Sequence, residues 1–208
     1  QRMTLSEFGT VPVDGTALRS VFPDHKSLND KISSLEHGKK LIRLKRGLYV
    51  ASPEVTGVPV SLELLANHIY GPSYVSMESG LRYYGLIPED VYEVRSMTLK
   101  HSRKFQNELA RFEYLMCPAD YFSVGIREET REGYSFWIAS PEKALCDMIS
   151  YSPGVRPRFK HSMRRFLEED LRLDMEAFSK MDPAVFEECA KYGKKKQSLD
   201  SLRRLLRK

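Results

Sequence analysis

The segment SLNDKISSLEHGKKLIRLKRGLYV, residues 27–50, changes its hydrophobic period at its centre. In its first half Leu28, Ile32 and Leu35 recur at the spacing that places them on one face of a helix. A serine at the start is a favourable N-cap, and Gly38 is the expected residue at which the helix ends. The first half therefore predicts a short amphipathic helix with one buried face.

A hairpin with a basic tip follows this helix. Leu41 to Leu44 and Leu48 to Val50 read as two strands, joined by a tight turn at Lys45-Arg46-Gly47. Upstream, residues 16–22 carry apolar side chains at helical spacing and end at a proline. The order of helix, turn, helix and hairpin predicts a winged helix-turn-helix DNA-binding domain over residues 1–52.

The outer face of the second helix carries small polar side chains, as a helix that reads the major groove does. Residues 16–50 also hold eight Lys and Arg against three Asp and Glu, and cations can bind backbone phosphates. The same pattern fits a winged helix that binds only protein, since a charged helix face is most often simply solvated. The candidate DNA-binding residues are Lys26, Asn29, Ser33, Ser34, His37, Lys39, Lys40, Arg43, Lys45 and Arg46.

The rest of the chain predicts an α+β fold. Residues 58–155 read as two helices, over 60–69 and 77–84, followed by four strands that would form a small, mainly antiparallel sheet. Ser140 then caps a helix that has Pro141 at its first position. Residues 156–208 read as helices throughout, so residues 58–208 are predicted to form a second domain with an α+β part and a helical part.

The last eighteen residues, 191–208, carry eight Lys and Arg against one acid, with leucines along one side of the predicted helix. Such a basic amphipathic end can bind nucleic acid or an acidic partner through its cations. It can equally pack on the protein through its leucines and leave its charges in water. A further lysine, Lys143, is not explained by helix capping and is expected to be exposed. The candidate partner-binding residues are Lys143, Lys194, Lys195, Lys196, Arg203, Arg204 and Arg207.

Composition and motifs exclude several classes. The 208 residues are 41% hydrophobic with a net charge of +5, and no apolar run reaches the ~20 residues that span a bilayer. Three cysteines without a CxxC pattern predict free, mostly buried thiols and a cytoplasmic location. No phosphate-loop, zinc-protease or nucleophile-elbow motif occurs, so neither an enzyme, a metal site nor a cofactor is expected.

Three stretches, in order, resemble the AbiEi-type antitoxin family: residues 44–50, residues 72–89 and residues 139–147. The resemblance spans roughly residues 16–150. It implies a transcriptional autorepressor and antitoxin of a bacterial type IV toxin–antitoxin system, a phage-defence system. The implied partners are double-stranded DNA of its own promoter and a nucleotidyltransferase-like toxin or that toxin's RNA substrate.

Two copies of the protein are expected to pair on an inverted repeat, because one recognition helix reads too few base pairs for a genome. The alternative function is a protein-binding adaptor whose winged helix does not read DNA. Salt dependence of DNA binding separates the two, since each neutralised phosphate contributes a slope of about −0.9 to the log–log plot.

Overall fold

The computed structural model describes residues 3–88 and 92–206. The N-terminal part opens with a 3-10 helix over Leu5–Phe8. It continues with strand β1 (Val13–Asp14), helices α1 (Gly15–Val21) and α2 (Leu28–His37), and strands β2 (Leu41–Lys45) and β3 (Leu48–Ala51). The strands form an antiparallel sheet in the order β1-β3-β2. The predicted order of two helices followed by a hairpin is therefore present.

A six-stranded sheet dominates the middle of the chain. The helices and strands of this part, in chain order, are α3 (Pro53–Thr56), α4 (Leu62–Ile69), β4 (Ser73–Val75), α5 (Met77–Tyr83), β5 (Glu93–Thr98), β6 (Arg103–Gln106), β7 (Arg111–Met116), α6 (Ala119–Phe122), β8 (Ile126–Arg131) and β9 (Tyr134–Ala139). The strand order is β6-β7-β5-β4-β9-β8. An α+β fold is confirmed, and β7 and β9 have the predicted bounds.

The sheet is mixed, with a majority of antiparallel pairs. Strand β5 pairs parallel with β7, and β4 pairs parallel with β9, while the other three neighbouring pairs are antiparallel. Strands β4 and β6 were not predicted, because they are short and lie in polar or proline-containing stretches. Because β6 lies outside β7 at the edge, the chain turns twice between β5 and β7, which makes those two strands parallel.

Helices follow the sheet, as predicted. They are α7 (Pro141–Tyr151), α8 (Lys160–Arg165) with a π-helical turn over Phe166–Asp170, α9 (Met175–Ser179), α10 (Pro183–Tyr192) and α11 (Lys196–Leu206). Ser140 caps α7, since its Oγ accepts from the Lys143 amide at 3.2 Å. None of the described helices is long and apolar enough to cross a bilayer. The three cysteines are free and buried, as expected.

The hairpin of the N-terminal part shares a hydrophobic core with the sheet. Ile42, Leu44 and Val50 belong to the same buried cluster as α4 and strands β4, β5, β7 and β9. A buried hydrogen bond from the Ser61 amide to Thr10 Oγ1, at 2.8 Å, also crosses between the two predicted domains. Cutting the chain at residue 52 would expose this apolar face to water.

Candidate nucleic-acid interface

Helix α2 packs on the N-terminal core through its apolar inner face and exposes a polar outer face to solvent. Ser27 Oγ accepts from the Asp30 amide at 3.3 Å, which caps the helix. Ile32 and Leu35 are buried in the N-terminal cluster. All five candidate residues before or within α2 are exposed: Lys26, Asn29, Ser33, Ser34 and His37. Five of the predicted DNA-binding residues are thus exposed to solvent at or beside α2.

The His37 ring on this face is fixed by the helix itself. Its Nδ1 lies 2.7 Å from the carbonyl oxygen of Ser33. Because a carbonyl can only accept, Nδ1 carries the proton and donates it. Nε2 is consequently the ring nitrogen that remains available to an external group.

The end of α2 differs from the expectation in one residue. Gly38 has an ordinary φ of −78°, while Lys39 adopts the left-handed conformation with φ of 53°. The amides of Lys39 and Lys40 bond back to the carbonyls of Glu36 at 3.0 Å and Leu35 at 2.9 Å, which closes the helix. A left-handed lysine costs about 1–2 kcal/mol relative to glycine. Both lysines are exposed next to the polar face of α2.

Arg43 on β2 is exposed but already paired. Its Nε and Nη2 donate to the two carboxylate oxygens of Glu36 at 2.8 and 2.7 Å, and its guanidinium lies 5.5 Å from the ring centroid of Tyr49. The hydrogen bond from Arg43 holds the pKa of Glu36 below its usual value. The positive charge of this predicted DNA-binding residue is therefore largely balanced within the protein.

The two cations at the hairpin turn point to different places. Lys45 Nζ donates to the carbonyl oxygen of Ile69 at 2.6 Å, so its ammonium is turned toward the body of the protein. Burial lowers the pKa of Lys45. Arg46 is exposed at the tip, next to Gly47, which takes the φ of 78° that the turn requires. Arg46 is thus the hairpin cation best placed to reach an external phosphate.

Two cations near the hairpin were missed by the sequence analysis. Lys100 and Arg103 are exposed and close enough to Lys45 that their charges lower its pKa further. The Lys100 ammonium lies 5.2 Å from the centroid of the Tyr70 ring, and the Arg103 guanidinium lies 4.9 Å from that of Phe105. No local signal could have found them, because they lie about fifty residues beyond the hairpin in the chain.

Lys143 is not a surface residue, which corrects the expectation that it is exposed. Its side chain is 0% exposed, and its Nζ donates to the carbonyl oxygen of Tyr121 at 2.5 Å. The ammonium also lies 3.8 Å from an oxygen of Asp147 and 3.3 Å from the centroid of the Tyr121 ring. Lys143 is enclosed because the sheet and the C-terminal helices pack on α7 from several sides, so a partner cannot contact it.

Asp147 is the centre of this buried network and joins two of the family-like stretches. Tyr74 and Tyr121 donate their hydroxyls to its carboxylate at 3.0 and 2.7 Å, and Ser76 donates at 2.5 Å. Burial raises the pKa of Asp147, while the charge of Lys143 and these hydrogen bonds oppose the increase. Residues 72–89 and 139–147 therefore meet in the core, where they contribute to folding. Glu89 of the first stretch lies outside the described residues.

The leucines of the basic tail are buried, so α11 packs on the protein through its apolar side. Leu199, Leu202 and Leu205 belong to the core around α7 and α10. Among the candidate cations, Lys195 donates to three carbonyls, Arg203 lies 3.6 Å from Glu187, and Lys194 lies 5.1 Å from the Tyr151 ring centroid. Lys196 and Arg204 are exposed, and Arg207 lies outside the described residues.

No protein-family model matches the chain, and no curated protein is similar to it. Among solved structures, the fold is similar to the crystal structure of the RV2827C protein from Mycobacterium tuberculosis, with a TM-score of 0.53 and 13% sequence identity. The similarity covers 97% of this chain and 79% of that one. At this identity the likeness establishes a common fold and carries no information on ligands.

Proposed function

We propose that the chain is a DNA-binding transcriptional autorepressor with an N-terminal winged helix-turn-helix. The observation that carries the proposal is the exposed polar face of α2, flanked by exposed cations on both sides. Asn29, Ser33 and Ser34 offer amide and hydroxyl groups to base edges. Lys26, Lys39, Lys40 and Arg46 would bind phosphates, and Lys100 and Arg103 would extend that contact beyond the hairpin.

Two copies are proposed to bind an inverted repeat in the promoter of the protein's own gene. The two α2 helices would then enter successive major grooves about 34–36 Å apart. A footprint confined to one unpaired half-site would contradict this arrangement.

Replacement of Arg46 by alanine should weaken binding to promoter and scrambled duplexes alike. A cation at a hairpin tip contacts the phosphate backbone, which is the same in every sequence. The slope of log K against log salt should become shallower by about 0.9. Fluorescence anisotropy across a salt series measures both effects, with Lys180→Ala as the control, because Lys180 is an exposed lysine on the C-terminal helices. An unchanged slope in the Arg46 variant would remove Arg46 from the interface.

The same variant also tests the proposed antitoxin function, which rests on the family resemblance. The partner would be the nucleotidyltransferase-like toxin or its RNA substrate, in the bacterial cytoplasm. If neutralisation does not depend on DNA binding, the Arg46→Ala protein should relieve growth inhibition by a co-expressed toxin as well as the unaltered chain does. Loss of relief in a variant that is folded and equally abundant would show that the two activities are coupled.

Replacement of Asn29 by alanine should change sequence preference, in contrast to Arg46→Ala. An asparagine amide can bond both the acceptor and the donor that adenine presents in the major groove. Its loss should cost about 1–3 kcal/mol on the promoter duplex and much less on a scrambled one. Competition between the two duplexes measures the ratio, with Ser179→Ala on α9 as the control. An equal loss of affinity for both duplexes would mean that Asn29 contacts the DNA backbone and not a base.

A protein-binding adaptor remains the second candidate function. It is favoured by the internal pairing of Arg43 with Glu36 and of Lys45 with the Ile69 carbonyl, which reduces the number of cations available to phosphates. An adaptor would show no salt-dependent binding to either duplex.

A further inference from the structure

A basic cavity lies between the segment that follows α7 and the start of α11. Its volume is about 280 Å³, and it is lined by Arg156, Arg158, Lys195, Lys196, Gln197 and Ser198. Four of these six side chains are cations and none is a carboxylate. The two segments are about forty residues apart in the chain, so the concentration of charge is a product of the tertiary structure.

Lys195 fixes the shape of the cavity. Its ammonium donates to the carbonyl oxygens of Ile149 at 2.8 Å, Ser152 at 2.9 Å and Val155 at 2.7 Å. These bonds tie the start of α11 to the end of α7 and to the segment that carries Arg156. Lys195 itself has a left-handed φ of 54°, a conformation that an ordinary residue adopts only when its surroundings impose it.

The positive charges around the cavity are not balanced by neighbouring acids. Burial lowers the pKa of Lys195, and the charges of Arg156 and Lys194 lower it further. Within residues 3–88 and 92–206, Arg156, Arg158 and Lys196 form no ion pair. The protein thus holds cations close together without supplying an anion, which favours capture of one from solution.

Three acids of the adjoining helices lie next to other arginines. Glu168 pairs with Arg164 at 2.7 Å and Glu169 with Arg165 at 3.0 Å, both along one helix. Asp200 lies 3.8 Å from Arg203. Arg164, Arg165 and Arg203 thus have carboxylate partners, in contrast to Arg156, Arg158 and Lys196.

We propose that this cavity binds the terminal phosphate of a nucleotide or of a single-stranded nucleic acid. A phosphate monoester carries about −1.5 to −2 charges at pH 7 and has three acceptor oxygens. It therefore matches the guanidinium groups of Arg156 and Arg158 and the ammonium of Lys196 better than a single carboxylate would. Phe159, which directly follows Arg158, is 71% exposed and offers a ring face on which a base can stack. The site is separate from α2 and does not depend on the proposed reading of duplex DNA.

The test uses the full chain and a 3′-labelled oligouridine that carries either a 5′-phosphate or a 5′-hydroxyl. Anisotropy at about 150 mM salt should show at least about tenfold tighter binding of the phosphorylated strand. Arg156→Ala with Arg158→Ala should abolish this preference. Arg164→Ala with Arg165→Ala removes the same charge from paired arginines and should keep the preference within about twofold of its original value. Thermal unfolding verifies that both double variants are folded.

Competition identifies the source of the phosphate. Displacement by uridine monophosphate as strong as by the phosphorylated strand assigns the site to free nucleotides, while displacement by the strand alone assigns it to a strand end. Phe159→Ala should weaken competition by either nucleotide ligand and leave competition by inorganic phosphate unchanged.

Three results would overturn the proposal. They are equal affinity for the two forms of the strand, equal losses in the two arginine double variants, and stronger competition by an oligoglutamate peptide than by the phosphorylated strand. Arg46→Ala should leave the preference for the 5′-phosphate unchanged, so failure of this site is distinguishable from failure of duplex binding.

Discussion

Replacement of Lys143 by methionine should lower the free energy of unfolding by about 3–5 kcal/mol at pH 7. Methionine retains most of the volume, so the principal change is that the buried carboxylate of Asp147 loses the cation 3.8 Å away. The bond to the Tyr121 carbonyl and the contact with its ring are lost as well. Urea denaturation measures the effect. Lys180→Met, an exposed lysine paired with Glu176, is the control and should change stability by less than about 0.5 kcal/mol.

The pH dependence of this variant separates charge from packing. The folded-state pKa of Asp147 lies above its ordinary value, so its contribution to stability is present at low pH and is lost as pH rises through that pKa. The charge of Lys143 lowers this pKa, so the pKa of Asp147 is higher in the variant. The loss of stability between low and neutral pH is therefore larger in the variant than in the unaltered protein. The difference between the two proteins should therefore be smallest near pH 4 and grow toward pH 7. A difference that does not vary with pH would mean that packing alone is responsible.

Replacement of Leu202 by alanine should cost about 2–5 kcal/mol of stability, because the side chain is fully buried in the core around α7 and α10. Arg204→Ala, on the exposed side of the same helix, should change stability by less than about 0.5 kcal/mol. Both are measured by denaturant unfolding of the full chain. A small effect of Leu202→Ala would mean that α11 is not part of the folded core in solution.

Deletion of the tail would not locate a partner site in it. Deleting residues 194–208 would remove Leu199, Leu202 and Leu205 from the core together with the cations. A truncated protein would then lose activity because it unfolds. Substitution of the exposed cations Lys196 and Arg204 tests their role without this effect.

Much of the local structure could be predicted from the sequence. The caps at Ser27 and Ser140 are both present, each through a bond to the amide three residues later. Strands β7 and β9 have the predicted bounds. Capping and hydrophobic period involve neighbours within about four residues, so the information lies in the segment itself. Strands β4 and β6 were missed because three or four residues carry too little periodicity to be recognised.

The exposed polar face of α2 was also predictable, because the burial of Ile32 and Leu35 determines which side of the helix faces water. Its role in reading DNA stays a prediction. The orientation of the hairpin cations was not predictable. Lys45 and Arg46 are adjacent in the sequence, yet Lys45 turns inward to the Ile69 carbonyl.

The burial of Lys143 was decided by the tertiary structure alone. A lysine four residues before an aspartate on a helix is the usual pattern of a solvated ion pair, and nothing within α7 indicates otherwise. Local sequence determined the caps, the amphipathic faces and most helix bounds. Contacts between distant segments decided which charges lose their water: Lys45 bonds a residue 24 positions away, and Tyr74 bonds Asp147 across 73. Desolvation depends on everything that packs around a group, which no local pattern records.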